Sequence, residues 1–395
     1  MEAILVCNGP GELYTWLHPT MLELRRTRPD ARIVTSLIPC QFAAGGEGAI
    51  AARFRPDAVT LPADFIKFVT RPGLPEPFTG EGGFVVSLGG NLGLALRLGA
   101  KLGYPAYRYG FVPTWRRGLT RLFVPDEATR RRARLFGAPP SRIEVVGNLV
   151  ADAVEQTAPV PDPGEPHIYL NPGSRDGFAV HLLPLFIAVV DALSRDLPGA
   201  RFIWAVSSLL SDDAISAGVA GVQRGTLGGL AGRLEGDSVR TPSGGRIELT
   251  FEAERYRHMR AADLAVTIPG TNTLELGIAG VPAVVMLPLN KPEVIPLEGA
   301  GHWLSLVPLV GTALKRHAVK LAAPRLPVAL PNTLTGQALM TEIKGEVTPE
   351  RIVSAVTALL DSPGELARRR ECLLAAMPRP GAAKRLVQSI LADAG

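Results

Sequence analysis

The sequence predicts an α/β protein with two doubly wound domains, each built on a parallel sheet. Short runs of β-branched and aliphatic residues alternate with longer helical stretches along the chain. At 395 residues, the chain is long enough for two or three domains of about 150 residues each. A proline-rich segment, residues 157–166, is the clearest linker signal, and the alternation of strand and helix starts afresh after it.

Strands and helices of the first half are predicted from short apolar runs and from helical periodicity. The chain opens on an apolar run that leads into glycines without a basic leader, which indicates a first strand and not a signal peptide. A helix is expected through about Leu17–Arg26, and an amphipathic stretch ends at Leu102. The predicted strands are Ala3–Cys7, Arg32–Leu37, Gly83–Leu88, Ala106–Tyr109, Arg121–Pro125 and Arg142–Val146.

The second half has the same organisation, without a sequence repeat between the halves. Residues 218–245 are rich in glycine and poorly patterned. The predicted strands are His167–Leu170, Arg201–Ala205, Arg246–Phe251, Leu264–Ile268 and Ala283–Leu287. The predicted helices are Leu182–Ser194, Ala253–Ala261, Asn272–Ala279, Pro349–Leu360, Gly364–Met377 and Ala382–Ala394. These elements predict a domain over residues 1–156, a second over 167–375 and a final segment over 376–395.

The composition is that of a folded globular chain. Hydrophobic residues make up 46% and charged residues 20%, which excludes wholesale disorder. The net charge of +5 favours a phosphorylated ligand or an anionic lipid surface and is too diffuse to indicate nucleic acid. Cys7, Cys40 and Cys372 lie far apart, so a cytoplasmic protein without disulfides or zinc is expected. The most apolar stretch, Phe178–Leu193, is interrupted by polar residues and a proline, so no membrane span is expected.

Four segments place small or polar residues directly after a predicted strand, where open α/β sheets bind ligands. They are Asn8–Glu12, Ser87–Asn91, Asn171–Arg175 and Ile268–Glu275. In the first, Gly9 and Gly11 allow a sharp turn, and Glu12 either faces a ligand or favours a helix N-terminus electrostatically. The dinucleotide fingerprint GxGxxG is absent from it.

Two of the other segments offer donors for a phosphorylated ligand. Gly173 and Ser174 present backbone N–H groups and Arg175 a forked donor, although an ordinary surface turn is the alternative. Gly270 and Thr271 lead into a helix whose N-terminus suits phosphate. The segment at the end of the strand Gly83–Leu88 contributes Ser87 and Asn91, which are weak signals by themselves.

Three further residues leave alternatives open. Glu275, about one turn into its helix, either accepts hydrogen bonds from a ribose diol or forms a capping-box-like pair with Asn272. His18 follows the first glycine loop closely and is either catalytic or structural. Two stretches that mix apolar residues with cations, Phe65–Arg71 and Trp115–Leu119, suit either an anionic lipid interface or buried packing.

Several motifs together resemble those of the lipid A disaccharide synthases. They are Ala262–Leu276, Gly280–Met286, Pro172–Arg175, Val146–Ala153 and Leu330–Asn332 with Gly336. Their order and spacing match over nearly the whole chain, more thinly in the N-terminal half. The opening Asn-Gly-Pro-Gly-Glu, followed by Trp16 and Pro19, is similar to the synthase-related branch of that family. The resemblance implies a GT-B fold, in which the two domains face a central cleft and the last helix packs back on the first domain.

The resemblance also implies a function. It is that of an inverting glycosyltransferase, which moves an N-acetylglucosamine-type sugar from a UDP-linked donor to a lipid-linked acceptor without a cofactor or metal. Such an enzyme would be cytoplasmic, or peripheral on the cytoplasmic face of the inner membrane. By the same resemblance, Arg175 holds the diphosphate, Gly270 and Thr271 lie at the phosphates, and Glu275 grips the ribose. Asn332 and Gln337 lie in a segment that closes beside the donor. The first domain is the acceptor side, and its acceptor-side loops contain Gly9, Gly11, Ser87 and Asn91.

The sequence departs from the family at one catalytic position. The synthases place an aspartate, their general base, in the loop that corresponds to Ser87–Asn91, where this chain has no carboxylate. Another group, such as Glu12 or His18, then has to accept the proton. An isomerase like the UDP-N-acetylglucosamine 2-epimerases and a nucleotide-sugar-binding protein without turnover remain as alternatives. An NAD-linked oxidoreductase ranks low because the dinucleotide fingerprint is missing.

Overall fold

The computed structural model describes residues 1–39, 46–70, 72–73, 76–161, 164–251, 254–289 and 326–394. It divides into two compact units. Unit 1 comprises Met1–Gln156 and Pro378–Gly395, and unit 2 comprises Thr157–Met377. Cys40 and Arg71, and the predicted helix start at Ala253, lie outside the described residues.

Unit 1 is built on a seven-stranded sheet within the described residues, with the strand order β3-β2-β1-β4-β5-β6-β7. All of its strand pairings are parallel. The order reverses direction between β1 and β4, which pair from Glu2 opposite Gly83 to Val6 opposite Ser87. The strands are Glu2–Cys7 (β1), Arg32–Leu37 (β2), Ala58–Thr60 (β3), Gly83–Leu88 (β4), Ala106–Tyr109 (β5), Leu119–Val124 (β6) and Ile143–Val145 (β7).

Helices cover this sheet because each connection between parallel strands crosses over one of its faces. Ile4 of β1, Phe65 and Leu98 pack in one buried cluster of this unit. A π-helical turn, Leu13–Leu17, interrupts the first helical segment. The α-helices are Pro10–Glu12, His18–Thr27, Glu47–Arg53, Pro62–Thr70, Leu92–Leu102, Glu127–Leu135, Leu149–Glu155 and Ala382–Ala394.

The C-terminal helix Ala382–Ala394 packs within unit 1. Asp152 accepts hydrogen bonds from the backbone N–H groups of Gly381 at 2.8 Å and Ala382 at 3.0 Å. At the other end of the helix, Arg121 pairs with Asp393 at 2.6 Å. The chain therefore returns to its first unit after completing the second.

Unit 2 is built on an eight-stranded sheet in the described part of the chain, with the order β10-β11-β12-β9-β8-β13-β14-β15. Six strands, from β12 to β15 in this order, pair in parallel, and the direction of winding reverses between β8 and β13. The strands are His167–Asn171 (β8), Arg201–Val206 (β9), Arg233–Glu235 (β10), Ser238–Arg240 (β11), Arg246–Phe251 (β12), Leu264–Thr267 (β13), Ala283–Leu287 (β14) and Thr341–Lys344 (β15).

The helices of unit 2 enclose its sheet. They are Asp176–Asp196, Asp212–Val219, Arg255–Ala261, Thr271–Ile278, Leu330–Thr335, Pro349–Leu360 and Pro363–Ala376. Among the described helices, Asp176–Asp196 has the length and apolar composition to cross a membrane, and 67% of its most apolar stretch is buried. Leu182, Phe186 and Val190 of this helix belong to the buried cluster on one face of the sheet, as expected for a core helix.

Most predicted strands agree with the structure to within two residues. The main difference is at residues 218–245, which contain the antiparallel strands β10 and β11. These two strands have three residues each, and Arg233–Glu235 is exposed throughout. They therefore lack the alternation of apolar and polar residues that predicts a strand. The unit 2 sheet is accordingly mixed at one edge and not wholly parallel.

Candidate functional site

In unit 2, two of the predicted ligand loops lie side by side where the strand order reverses. β8 and β13 pair with Asn171 opposite Thr267, and the Thr267 hydroxyl donates to the Asn171 carbonyl at 3.2 Å. The loop residue Gly173 has φ +101°, and a Cβ there would lie 2.9 Å from the Ile268 side chain of the second loop. A parallel sheet binds ligands at such a reversal, so the topology brings the predicted donor loops together.

Ser174 and Arg175 are exposed at the start of the 21-residue helix Asp176–Asp196. The second loop ends similarly, since Gly270 and Thr271 are exposed at the start of the helix Thr271–Ile278. Two helix N-termini therefore lie at this edge, and each presents backbone N–H groups and the positive end of a helix dipole. Such an edge is suited to a diphosphate.

Asn272 does not form the capping-box-like pair with Glu275 that the sequence left open. The N-cap residue of the helix is Gly270, so Asn272 lies too late in the chain for that role. Its side-chain amide instead donates back to the Thr267 hydroxyl and to the Ile268 carbonyl, the latter at 3.2 Å. Asn272 therefore fixes the conformation of the loop that precedes the helix.

Glu275 lies inside the protein and is paired. Its side chain is 4% exposed; Arg255 donates to Oε1 at 2.6 Å and the Tyr256 hydroxyl donates to the same atom at 3.1 Å. The Arg255 guanidinium also lies 4.4 Å from the centre of the Tyr256 ring. Sequence reasoning missed Arg255 and Tyr256 because nothing local connects them to a glutamate twenty residues further along the chain.

The predicted closing segment adjoins the same helix but uses Asn332 internally. The backbone N–H of Leu330 donates to the Thr273 hydroxyl at 3.0 Å, which joins the helix Leu330–Thr335 to the second donor loop. The Asn332 amide donates to the Met340 carbonyl and to Glu342, both at 2.9 Å, and accepts from the Met340 N–H at 2.8 Å. Asn332 is thus buried and shapes the loop, whereas Gln337 is exposed on it.

In unit 1, the other two loops follow β1 and β4, which flank the reversal of that sheet. Glu12 accepts hydrogen bonds from the backbone N–H groups of Gly9 at 3.0 Å and Asn8 at 3.4 Å. Its carboxylate packs against Gly89, where a Cβ would lie 2.3 Å from it. Burial raises the pKa of Glu12, and the two N–H groups and Arg108 act in the opposite direction.

The second loop of unit 1 contains a buried serine and an exposed asparagine. Ser87 donates to the Gly89 carbonyl at 3.0 Å and accepts from Arg108 at 3.1 Å. Asn91 caps the helix Leu92–Leu102 by accepting from the Gly93 N–H at 2.9 Å. Gly11 is exposed in the first loop, while Arg108, on β5, is a site residue that the sequence did not single out.

His18 lies at the start of the helix His18–Thr27. Its ring stacks on Phe54, with the ring centres 4.3 Å apart and the planes inclined by 19°. Burial lowers the pKa of His18, which favours the neutral imidazole at pH 7. The stacked position gives His18 a packing role, the structural alternative left open by the sequence, and its catalytic role stays a prediction.

In the two stretches considered for lipid contact, most of the apolar side chains are packed and the described cations are exposed. Phe65 and Phe68 are buried in the unit 1 core, while Ile66 is half exposed and Lys67 pairs with Asp64 at 2.9 Å. Trp115 packs against a second buried cluster of the same unit. Over the described residues, no group of three or more His, Cys, Asp or Glu side chains is placed to hold a metal ion.

Known proteins match the chain in sequence and in fold. Residues 246–294 match the family model described as lipid-A-disaccharide synthetase. The lipid-A-disaccharide synthase of Trichlorobacter lovleyi is 28% identical over 228 residues, which cover 55% of this chain and 48% of that protein. The synthase of Anaeromyxobacter dehalogenans strain 2CP-1 is 28% identical over 324 residues, or 76% and 72% of the two chains. The chain thus spans about half the length of the first relative and nearly three quarters of the second.

Among solved structures, the UDP-GlcNAc 2-epimerase of Neisseria meningitidis superposes with a TM-score of 0.53 at 14% identity, covering 99% of this chain and 100% of that one. MurG of Acinetobacter baumannii superposes with a TM-score of 0.51 at 14% identity, covering 99% of both chains. At these identities the likeness shows the fold alone. With the two doubly wound units, it places the protein in the GT-B fold class.

The sequence matches point to one family within the GT-B fold class. The chain is a relative of the lipid-A-disaccharide synthases, a family of glycosyltransferases, and the resemblance predicted from its motifs is confirmed.

Proposed function

We propose that the protein is an inverting glycosyltransferase that moves an N-acetylglucosamine-type sugar from a UDP-linked donor to a lipid-linked acceptor. One observation carries the proposal. The loop Ile268–Glu275, which lies within the residues that match the synthase family model, adjoins the Gly173–Arg175 loop at the reversal of the unit 2 sheet.

The donor diphosphate binds at the two helix N-termini of unit 2. Backbone N–H groups after Gly173 and Gly270, with the guanidinium of Arg175, donate to its oxygens. Arg255 and Tyr256 orient Glu275, which receives the ribose hydroxyls. These donors stabilise the charge that develops on UDP as it departs, because they are in place before the reaction begins.

In the transfer step, an acceptor hydroxyl attacks the anomeric carbon from the face opposite UDP. The new C–O bond forms as the bond to the diphosphate breaks, UDP leaves with the electron pair, and the configuration inverts. The hydroxyl proton passes to the Glu12 carboxylate, which takes the role of the aspartate missing from Ser87–Asn91. A lipid-linked acceptor places this reaction at a cytoplasmic membrane surface.

Product analysis tests the reaction. Purified protein is incubated with UDP-N-acetylglucosamine, with and without detergent-dispersed acylated glucosamine phosphate, and UDP and sugar products are separated. We expect UDP to form only with acceptor, in step with a new disaccharide lipid, and we expect Glu12→Gln to bind UDP but to turn over much more slowly than the parent. Epimerised donor formed without acceptor would mean that the reaction is isomerisation and not transfer. Tight UDP binding without any product from a panel of such acceptors would identify a binding protein.

A further inference from the structure

Arg108 is a buried cation at the carboxyl edge of the unit 1 sheet. It lies on β5 opposite Ser87 of β4 and is 7% exposed. Its Nη1 donates to the Ser87 hydroxyl at 3.1 Å and to the Gly90 carbonyl at 3.2 Å. Its Nε is buried without a hydrogen-bond partner among the described residues. A buried guanidinium is costly unless an opposite charge lies nearby, so this position requires an acid.

Glu12 is that acid. Its carboxylate packs against Gly89, and Arg108 binds the carbonyl of the next residue, Gly90. Each charge favours the ionised form of the other. Burial raises the pKa of Glu12 and lowers that of Arg108, so neither group would keep its charge as readily alone.

Two other titratable groups of the described residues act on this pair. Arg116 lies over the first turn of the helix Leu92–Leu102, since a Cβ on Gly93 would be 2.9 Å from its guanidinium. Its positive charge lowers the pKa of Arg108. Cys7 is buried at the end of β1, and burial together with Glu12 raises the pKa of its thiol. The thiol therefore stays neutral, and Arg108 is the cation that acts on the Glu12 carboxylate.

We propose that Arg108 is a positioning residue for Glu12, supplying the buried positive charge against which that carboxylate accepts the acceptor's proton. The inference rests on the proposed function and goes beyond the synthase resemblance, which implies an aspartate in the neighbouring loop. Ser87, in that loop, binds Arg108 instead. The base and the group that supports it thus come from β1 and β5, with β4 between them.

The test compares Arg108→Gln and Arg108→Lys with the parent. Without the positive charge, Glu12 holds its proton to higher pH. We expect the acidic limb of the kcat profile of Arg108→Gln to move upward by about one pH unit, so that kcat below the limb falls by up to about tenfold and recovers as the pH rises. KM for the UDP-sugar should stay within about twofold, because the donor loops lie in unit 2.

Arg108→Lys should keep the acidic limb near its parental position. Arg131→Gln, on an exposed arginine of the helix Glu127–Leu135, is the matched control and should behave as the parent.

A double mutant separates positioning from a merely structural role. If Arg108 acts through Glu12, then Glu12→Gln with Arg108→Gln loses no more turnover than Glu12→Gln alone. Additive losses, or an acidic limb that does not move in Arg108→Gln, would overturn the proposal. If Arg108→Gln does not fold, the same double-mutant comparison is made with Arg108→Leu, which fills the cavity without a charge.

A second readout does not depend on turnover. The ¹³C resonance of the Glu12 carboxyl, assigned by its loss in Glu12→Gln, is titrated in the parent and in Arg108→Lys and Arg108→Gln without substrate. We expect its midpoint to be raised only in Arg108→Gln; equal midpoints would refute the pairing. A raised midpoint in a protein that binds no UDP would reject the proposed function and leave the pairing standing.

Discussion

Glu275 has a structural role besides the binding role proposed for it, and the two can be separated at the level of single residues. Its carboxylate pairs with Arg255, whose side chain is 18% exposed, so removing the acid leaves a largely buried guanidinium without this counter-charge. Arg175, in contrast, is exposed at a helix start. The same family resemblance pointed to both residues, but only the structure distinguishes their surroundings.

We predict that Glu275→Ala lowers the free energy of unfolding by about 3 kcal/mol, the usual cost of breaking a buried pair, and also weakens UDP binding. Arg175→Ala should weaken UDP binding at least about tenfold, since a charge-assisted hydrogen bond contributes about 1.5–3 kcal/mol, and should leave stability unchanged. Denaturant unfolding and UDP titration of each variant check this, with Glu127→Ala, from an exposed ion pair, as the control. Equal stability of Glu275→Ala and Glu127→Ala would show that the Arg255 pair is not structural.

Residue patterns on the sequence predicted the loops but not every side chain that acts in them. Gly9, Glu12, Arg175 and Gly270 were identifiable because they closely follow apolar strands. Arg108 was not, because an arginine between two tyrosines in a strand resembles a solvent-facing charge. Its burial depends on pairing with β4, which is a long-range contact that no local pattern encodes.

At the scale of elements, the turn after β4 has to come close to the carboxylate of Glu12. Gly89 has φ +112°, and its missing Cβ leaves the space that Glu12 occupies. Gly82, in the turn before β4, has φ +101°, but a Cβ added there would meet no other atom within 4 Å. Both glycines therefore have a positive φ, but they differ in the atoms that surround them.

Gly89→Ala should reduce turnover strongly by displacing Glu12. Gly82→Ala should only destabilise the protein by the backbone strain of about 1 kcal/mol. UDP affinity should be unchanged in both, because the substitutions lie in unit 1. The comparison requires kcat, UDP affinity and melting temperature for each variant. Turnover that falls equally in both would mean that backbone strain, and not the position of Glu12, controls the reaction.

Several strands were predicted with their bounds as the structure has them, because their apolar runs are long enough to stand out. Arg32–Leu37, Gly83–Leu88, Arg246–Phe251 and Ala283–Leu287 have the bounds expected from the sequence. The edge hairpin was missed because its three-residue strands depend on pairing between strands, β10 with β11 and β11 with β12. Such strands carry too few residues for periodicity to be visible.

At the scale of the whole molecule, the last helix completes the unit formed by the first 156 residues. Asp152 caps it through the N–H groups of Gly381 and Ala382, and Arg385 donates to the Val146 carbonyl at 2.7 Å. The stability of unit 1 therefore depends on residues that follow unit 2 in the chain.

Asp152→Ala should lower stability by about 1–2 kcal/mol, as the loss of an N-cap usually does, and should expose residues 378–381 to protease. Asp126→Ala removes a comparable cap, the acceptor for the Thr129 N–H at 2.6 Å, from a helix within the first part of the chain. It should cost a similar amount without releasing the C-terminal helix. Limited proteolysis with mass analysis distinguishes them; identical cleavage patterns would contradict the role given to Asp152.

The donor site in unit 2 is the central claim, and calorimetric titration with UDP, UDP-N-acetylglucosamine and NAD tests it most directly. We predict that the two UDP compounds bind, that NAD does not, and that Arg175→Ala weakens UDP binding by at least about tenfold. Binding of neither UDP compound, or equal affinity in the parent and Arg175→Ala, would contradict the placement of a nucleotide-sugar donor at these loops.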